Sequence, residues 1–347
     1  MKDIQKYCIP VTATLRESLK RLNDLSSDLL TLLLVDEEER LQATLTDGDI
    51  RRALIHGATL EDPAIKAACK SPFVLRSEEY DPETLQTIRH RKLTLIPLID
   101  EKGKIRRIYD FRNLQCILPL DVVIMAGGRG ERLRPLTDTR PKPLLPLGDK
   151  AIVEHNVDRL AECGIRRITF SIRYLGEQIR EYFKDGSEKG IHIDYIEETS
   201  PLGTMGAVTL AAPFSKDTVL VMNSDLFTNI NFEEFYLHFL RSKADMSVAS
   251  IPYNVSIPYA VMKTEEGRIT EFQEKPTYTY YSNAGIYLIK RSLLNEIPYG
   301  ERYDATDLMQ HLIDTGRKVT PFPIVGYWID IGKPEDYKKA QEFIKYI

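Results

Sequence analysis

A chain of 347 residues with 43% hydrophobic and 28% charged content has an ordinary globular composition, and it is longer than one compact core usually serves. Two domains are therefore expected. With 47 Lys plus Arg against 51 Asp plus Glu, the net charge of −4 gives no general attraction for nucleic acid or an anionic membrane, so neither is an expected partner.

In chain order, the first pattern is "TLRESLKRLNDLSSDLLTLLLVDEEERLQATLTDGDIRRALI". It reads as an amphipathic helix carrying Leu15, Leu19, Leu22 and Leu25, a strand ending "LLLVD", a charged turn, a second strand, and a helix opening at "TDGDIRRAL". Roughly sixty residues later "DPETLQTIRHRKLTLIPLIDEKGKIRRIYDFRN" repeats the order helix, strand, turn, strand. Residues 1–118 are thus predicted to be two similar halves, about 1–62 and 63–118, that bury their apolar faces against each other. These stretches resemble a tandem pair of CBS modules. The resemblance implies a regulatory or dimerising role, a homo-oligomer, and an adenine nucleotide as a candidate ligand of Thr46 and Asp49, the Thr-x-x-Asp of "TDGD". The second half has "YDFRN" at that place and lacks the pattern, and Thr46 also suits a plain helix cap.

From residue 119 onward, strand-like runs "DVVIMA", "RITFSI", "IHIDYIEE", "DTVLVMNSD", "MSVASIPY" and "NAGIYLIK" alternate with helical runs such as "AIVEHNVDRLAECG" and "EEFYLHFLRSKA". That alternation predicts an α/β fold with a Rossmann-like, mostly parallel mixed sheet over 119–347. Ligands of such sheets sit beyond the carboxyl ends of the strands. The four cysteines, Cys8, Cys69, Cys116 and Cys163, lie far apart without a CxxC pair, which argues against a zinc site or a disulfide framework and fits a cytoplasmic chain. No targeting segment is read in "MKDIQKYCIPVTATL", and no run reaches the ~20 apolar residues of a membrane span.

Directly after "DVVI" comes "MAGGRGERLRPLTDTRPKPLLPL". Gly127, Gly128 and Gly130 leave backbone N–H groups open to phosphate oxygens, while Arg129, Arg132, Arg134, Arg140 and Lys142 supply positive charge. This is an anion site. It is not a GxxxxGK[ST] loop, because lysine and hydroxyl do not follow at the required offsets, and no third glycine completes GxGxxG.

The longer pattern resembles the fingerprint of the sugar-1-phosphate nucleotidylyltransferases, and "EETSPLGTMGAV", "VMNSDLF", "EFQEKP", "SNAGIY" and "WIDIGKPEDY" follow in that family's order. The resemblance covers about 225 residues and implies a nucleotide-diphospho-sugar transferase fold and an enzyme. In the implied reaction a sugar-1-phosphate oxygen attacks the α-phosphorus of a nucleoside triphosphate and pyrophosphate leaves. Both substrates are polyanions, so positioning and charge neutralisation are the protein's task.

Carried over residue by residue, Ala126, Gly127, Gly128 and Gly130 lie against the nucleotide, Arg132 meets the departing pyrophosphate, and Lys142 the phosphates at the reacting centre. Asp225 and Asp330 would hold Mg²⁺, Lys275 the sugar phosphate, and Glu274, Asn283 and Gly285 the sugar. Gly203 and Thr204 stand where the family meets the base, and "SPLGT" resembles the mannose-1-phosphate guanylyltransferase branch. Guanine offers adjacent N–H donors, which a carboxylate such as Glu197 or Glu198 can accept, so GTP is the expected donor. CBS modules ahead of a transferase further resemble bacterial enzymes that make a GDP-linked glucosamine for legionaminic acid-type surface sugars. Glucosamine 1-phosphate leads, ahead of mannose 1-phosphate and of glucose 1-phosphate with UTP or dTTP. A reading of another class, a nucleotide-sensing regulator without turnover, conflicts with the intact Arg132, Lys142, Asp225, Lys275 and Asp330.

Overall fold

Two compact units divide the chain, Met1–Leu118 and Pro119–Ile347. The computed structural model describes residues 3–346 except 26–27, 78–83, 85–86, 89 and 113.

In the first unit, β1 (Cys8–Pro10) runs parallel to β2 (Thr31–Val35), which pairs antiparallel with β3 (Leu41–Thr46). Helix α1 (Leu15–Asp24) starts at Thr14, where the Thr14 hydroxyl and the Glu17 carboxylate satisfy each other's backbone N–H groups. Its Leu15 and Leu22 are buried with Leu32, Leu33, Leu34 and Ile50, the last from α2 (Asp47–Ile55). A second hairpin joins β4 (Leu95–Ile99) to β5 (Ile105–Asp110). The two hairpin turns share one hydrogen-bond pattern. Asp36 Oδ1 accepts from the N–H of Glu38 and Arg40 at 3.1 and 2.8 Å, and Asp100 Oδ1 accepts from Lys102 and Lys104 at 2.9 Å each. The Leu41 N–H donates to the Gly103 carbonyl at 3.0 Å, so the two turns lie side by side. The helix expected from "DPETLQTIRH" falls largely outside the described residues.

The second unit runs β6 (Leu120–Ala126), β7 (Pro146–Leu147), β8 (Lys150–Ala151), α3 (Ile152–Glu162), β9 (Arg167–Ile172), α4 (Gly176–Phe183), β10 (His192–Glu197), α5 (Gly203–Val208) and β11 (Thr218–Asn223). Then follow β12 (Leu226–Thr228), α6 (Phe232–Ser242), β13 (Met246–Ser256), β14 (Val261–Glu265), β15 (Arg268–Gln273), β16 (Thr277–Lys290), α7 (Ala305–Asp314), β17 (Val319–Pro323), β18 (Trp328–Asp330) and α8 (Pro334–Phe343). Its main sheet has seven strands in the order β10-β9-β6-β11-β16-β13-β17. The first four are mutually parallel, β16 opposes both β11 and β13, and β17 is parallel to β13. The expected mixed sheet is present. Val122, Val123 and Ile124 are buried in succession, as a strand covered on both faces requires.

Where the structure departs from the sequence reading is the ribbon. Strands β13 and β16 continue past the sheet, from Ser250↔Asn283 out to Ser256↔Thr277, and the β14–β15 hairpin was not anticipated. Apolar residues there, including Tyr253, Met262, Phe272 and Tyr280, are exposed, so no alternation of buried and solvated positions marks them as strand. Among the described residues no helix is long and apolar enough to cross a membrane.

Candidate active site

A cavity of about 500 Å³ opens beyond the carboxyl ends of β6, β9 and β11. The glycine-rich turn after β6 forms one wall. Gly130 has φ +67°, and a Cβ there would lie 3.1 Å from both Lys142 Cβ and Thr137 Cγ2, so the turn seats on Lys142 only without a side chain. Thr137 Oγ1 fixes it by donating to the Gly130 carbonyl at 2.9 Å. Beneath lies a small apolar cluster including Leu133, Leu145, Leu147, Phe227 and Ile331. Leu133 is buried in it while the neighbouring Arg132 lines the cavity.

Lys142 is nearly buried, and its ammonium forms an ion pair with Asp225 Oδ2 while standing 4.0 Å from Asp330 Oδ1. Pairing of β12 with β18 makes this possible: Leu226 opposes Asp330, and the Ile331 N–H donates to the Asp225 carbonyl at 3.0 Å. Two carboxylates from distant parts of the chain thus flank one cation. Partial desolvation of a side chain that is still 46% exposed, together with the Asp225 charge, pushes the Asp330 carboxyl above the usual carboxylate range, against the opposing pull of Lys142 and Arg132. Asp225 Oδ1 is buried with no hydrogen-bond partner among the described residues. The described residues contain no group of three or more metal-type side chains. Two hard carboxylates, one with an unsatisfied oxygen, nevertheless fit Mg²⁺, whose remaining positions phosphates and water usually fill.

Beside the start of the turn Glu198 is buried; its Oε1 accepts from Ser171 Oγ at 2.6 Å and its Oε2 from the Leu202 N–H at 3.3 Å. It packs against Gly127, where any Cβ would come within 2.5 Å of Glu198 Oε1. Glu197 is turned elsewhere: it is exposed, pairs with Arg180 at 2.9 Å, and does not line the cavity. Gly203 and Thr204 line it together with Asp304, which caps α7.

Of the residues read from sequence, the cavity brings together Ala126, Gly127, Gly128, Gly130, Arg132, Lys142, Glu198, Gly203, Thr204 and Asp225, with Asp330 at its edge through Lys142. Gly285 reaches it indirectly, its φ of +72° placing it against Asn223, a lining residue; a Cβ would be 2.6 Å from Asn223 Nδ2. Asn283 is occupied in the bulge of β16, its Nδ2 donating to Tyr287 Oη and its Oδ1 accepting from the Gly285 N–H, both at 2.9 Å. Glu274 and Lys275 are exposed between β15 and β16 and do not line the cavity. Nor do Arg129, which stacks on Tyr174, and Arg134, which pairs with Asp138 at 3.3 Å. In the first unit Thr46 and Asp49 are engaged with each other as a capping box, Thr46 Oγ1 donating to Asp49 Oδ2 at 2.7 Å.

The sequence reading missed Arg173. It follows β9 directly, lines the cavity, and donates from Nε to the Gly127 carbonyl at 3.3 Å. Its position just past a parallel strand was the available signal.

A mixed sheet whose parallel strand ends carry a glycine-rich turn, a lysine and paired carboxylates has the make-up of a phosphate-handling α/β protein. Residues 121–346 match the family model described as nucleotidyl transferase, and the chain belongs to that family. The mannose-1-phosphate guanylyltransferase of Mycobacterium tuberculosis is 32% identical over 228 residues, 64% of this chain and 63% of that protein. The bifunctional protein GlmU of Methanocaldococcus jannaschii is 34% identical over 237 residues, 65% of this chain and 54% of that protein. This chain therefore spans less than two thirds of either relative. The crystal structure of HddC from Yersinia pseudotuberculosis complexed with GMP-PN aligns with a TM-score of 0.51 at 25% identity, over 66% of this chain and 100% of that one.

Proposed function

We propose that the second unit transfers a nucleotidyl group from a nucleoside triphosphate to a sugar 1-phosphate. The observation that carries this reading is the convergence of Arg132, Lys142 and Asp225 on one cavity at the strand ends. A phosphate oxygen of the sugar 1-phosphate attacks the α-phosphorus, the bond from that phosphorus to the bridging oxygen breaks, and pyrophosphate departs. Lys142 lies against the reacting phosphate, and Arg132 meets charge that grows on the leaving group. Asp225 and Asp330 would hold Mg²⁺, which when bound neutralises phosphate charge and orients the triphosphate. Lys275, with Glu274, Asn283 and Gly285, is assigned to the sugar phosphate and sugar.

For the base we favour guanine. Glu198 presents an acceptor to the N1 and N2 donors of guanine, and Arg173 on the same cavity presents a donor to its acceptor edge. For the sugar we favour glucosamine 1-phosphate, serving a legionaminic acid-type surface sugar in the cytoplasm, with mannose 1-phosphate next. The first unit is read as a CBS pair that assembles a homo-oligomer. The mutual engagement of Thr46 and Asp49 favours assembly over adenine-nucleotide binding.

Pyrophosphate release, followed for GTP, ATP, UTP and dTTP against glucosamine, mannose and glucose 1-phosphates, tests the proposal. GTP with glucosamine 1-phosphate is expected to be the best pair. Release with none of the pairs in the presence of Mg²⁺ would overturn nucleotidyl transfer, whereas preference for another pair would overturn only the specificity.

A further inference from the structure

Helix α3 touches both sides of the Lys142–Asp225 ion pair without contributing to the cavity. At its start the Ile152 N–H donates to the Leu145 carbonyl at 3.0 Å, and His155 Nε2 contacts the Leu147 carbonyl at 2.8 Å. Leu145 directly follows the short 3₁₀ turn Lys142–Leu144, so the helix start fixes the segment that presents Lys142.

One turn further on, the same helix seizes the strand that follows Asp225. Asn156 is fully buried and its Nδ2 donates to the Leu226 carbonyl at 2.6 Å. Arg159 spreads its guanidinium over two more carbonyls, Nη1 on Thr228 and Nη2 on Ile230, with the charge 5.4 Å from the centre of the Phe232 ring. Asn156 and Arg159 therefore bind alternate carbonyls, those of Leu226 and Thr228 in β12 and of Ile230 just beyond it, on the edge away from β18. The other edge of β12 carries Asp330 into place.

A buried guanidinium is a costly means of satisfying carbonyls, because its charge loses water; burial pulls the Arg159 pKa down. A neutral side chain would fill the same space at lower cost. What the fork adds is geometry: two donors in one rigid plane hold two carbonyls in fixed register, which a flexible or single donor does not.

We propose that Asn156 and Arg159 are positioning residues for transfer: they clamp β12 so that the Asp225 and Asp330 carboxylates meet Lys142 and the triphosphate in the reactive arrangement. This rests on the nucleotidyl-transfer reading above. Small displacements suffice to matter, since a misplacement of about 1 Å at a reacting centre costs on the order of a hundredfold in rate.

The test uses the full chain carrying Arg159→Lys, which keeps the charge but not the fork, and separately Asn156→Ala. With each we measure melting temperature, kcat and KM for GTP and the sugar phosphate, and hydrogen exchange of peptides covering 224–231 and 327–332. The expected result for folded variants is a fall in kcat of about tenfold to a hundredfold with KM for GTP changed less than about threefold. Faster exchange should be confined to those two peptides. A merely structural role would lower the melting temperature and leave kcat of the folded fraction intact, and that outcome overturns the proposal. If an unstable Asn156→Ala obscures kinetics, Arg159→Lys alone decides by the same criteria. If the unaltered protein turns over no substrate pair, the functional reading falls and takes the catalytic role of the clamp with it. Unchanged kcat in variants of an active enzyme removes the clamp alone.

Discussion

Replacing Lys142 by methionine separates what the ion-pair cluster does for stability from what it does for chemistry. Methionine keeps the length and most of the volume but removes the cation standing between Asp225 and Asp330. At the 4.0 Å separating Lys142 Nζ from Asp330 Oδ1, and with an effective dielectric of ~20, that attraction is about 4 kcal/mol before desolvation is subtracted, and the closer Asp225 pair exceeds it. Breaking a fully buried pair costs about 3 to 5 kcal/mol. Side-chain exposures of 11% for Lys142 and 23% for Asp225 let water recover part of that, so a net loss of about 3 kcal/mol is expected. For a unit the size of Pro119–Ile347 this corresponds to a drop of about 6 to 12 °C in its melting transition. Calorimetry of the full chain measures it. Lys142→Met with Asp225→Asn should recover part of the loss, since the more buried of the two stranded carboxylate charges is gone, yet neither variant should transfer nucleotide at more than about a hundredth of the unaltered rate. A melting transition within ~1 °C of the unaltered protein for Lys142→Met would refute the picture of a partly buried cation compensating two carboxylates.

Asp330→Asn should act in the opposite sense on stability. Its folded pKa is raised by partial desolvation and by Asp225, so the contribution of its protonated form is present below the ordinary carboxylate pKa and is lost as pH rises through the folded value. The amide avoids that loss, so at pH 7 the variant should melt higher while transfer collapses, with the gain vanishing near pH 3; a lower melting temperature at pH 7 contradicts the assigned sign. Glu198→Gln and Arg173→Ala should each narrow the preference for GTP over ATP in kcat/KM by about tenfold or more, and an unchanged ratio would remove that side chain from base reading. Deleting residues 1–118 should leave a folded transferase of altered oligomeric state, checked by sedimentation. Titration calorimetry of the full chain with AMP and ATP completes that test, and tight binding of either would restore a sensing role to the first unit.

The charges proposed for the chemistry are legible as positions because each sits beside an apolar residue that has to be buried. Arg132 precedes Leu133, Asp225 precedes Leu226, Asp330 precedes Ile331, and those three neighbours are at most 1% exposed. In each stretch the apolar residue anchors the backbone, leaving Arg132 and Asp225 on the cavity and Asp330 at its edge beside Lys142, so residue order along the chain carries site geometry. Where two charges adjoin, that logic fails. Glu197 and Glu198 stand at the end of β10 and successive strand side chains point to opposite faces, so register alone decides which enters; Glu197 lies opposite Ile172, and Glu198 is the one turned inward.

Arg159 and Asn156 were illegible for a different reason. On the sequence they are polar positions in an amphipathic helix, and a polar position there reads as solvent-facing. Their partners are main-chain carbonyls of a three-residue strand some seventy positions later and of Ile230 just past it, and no side chain there marks which carbonyls are held. Main-chain partners leave no mark in composition, so a side chain that holds another segment's backbone is invisible until the crossover places the two together. The same holds for Asp304, whose presence at the cavity depends on Gly203 at φ +71° leaving the space that a Cβ would take, 2.4 Å from Asp304 Oδ1. Sequence motifs thus report most of the side chains gathered at the cavity. The groups that set the distances between them are recorded only in the packing, which is why the clamp on β12 has to be sought by substitution at α3 rather than at the motifs themselves.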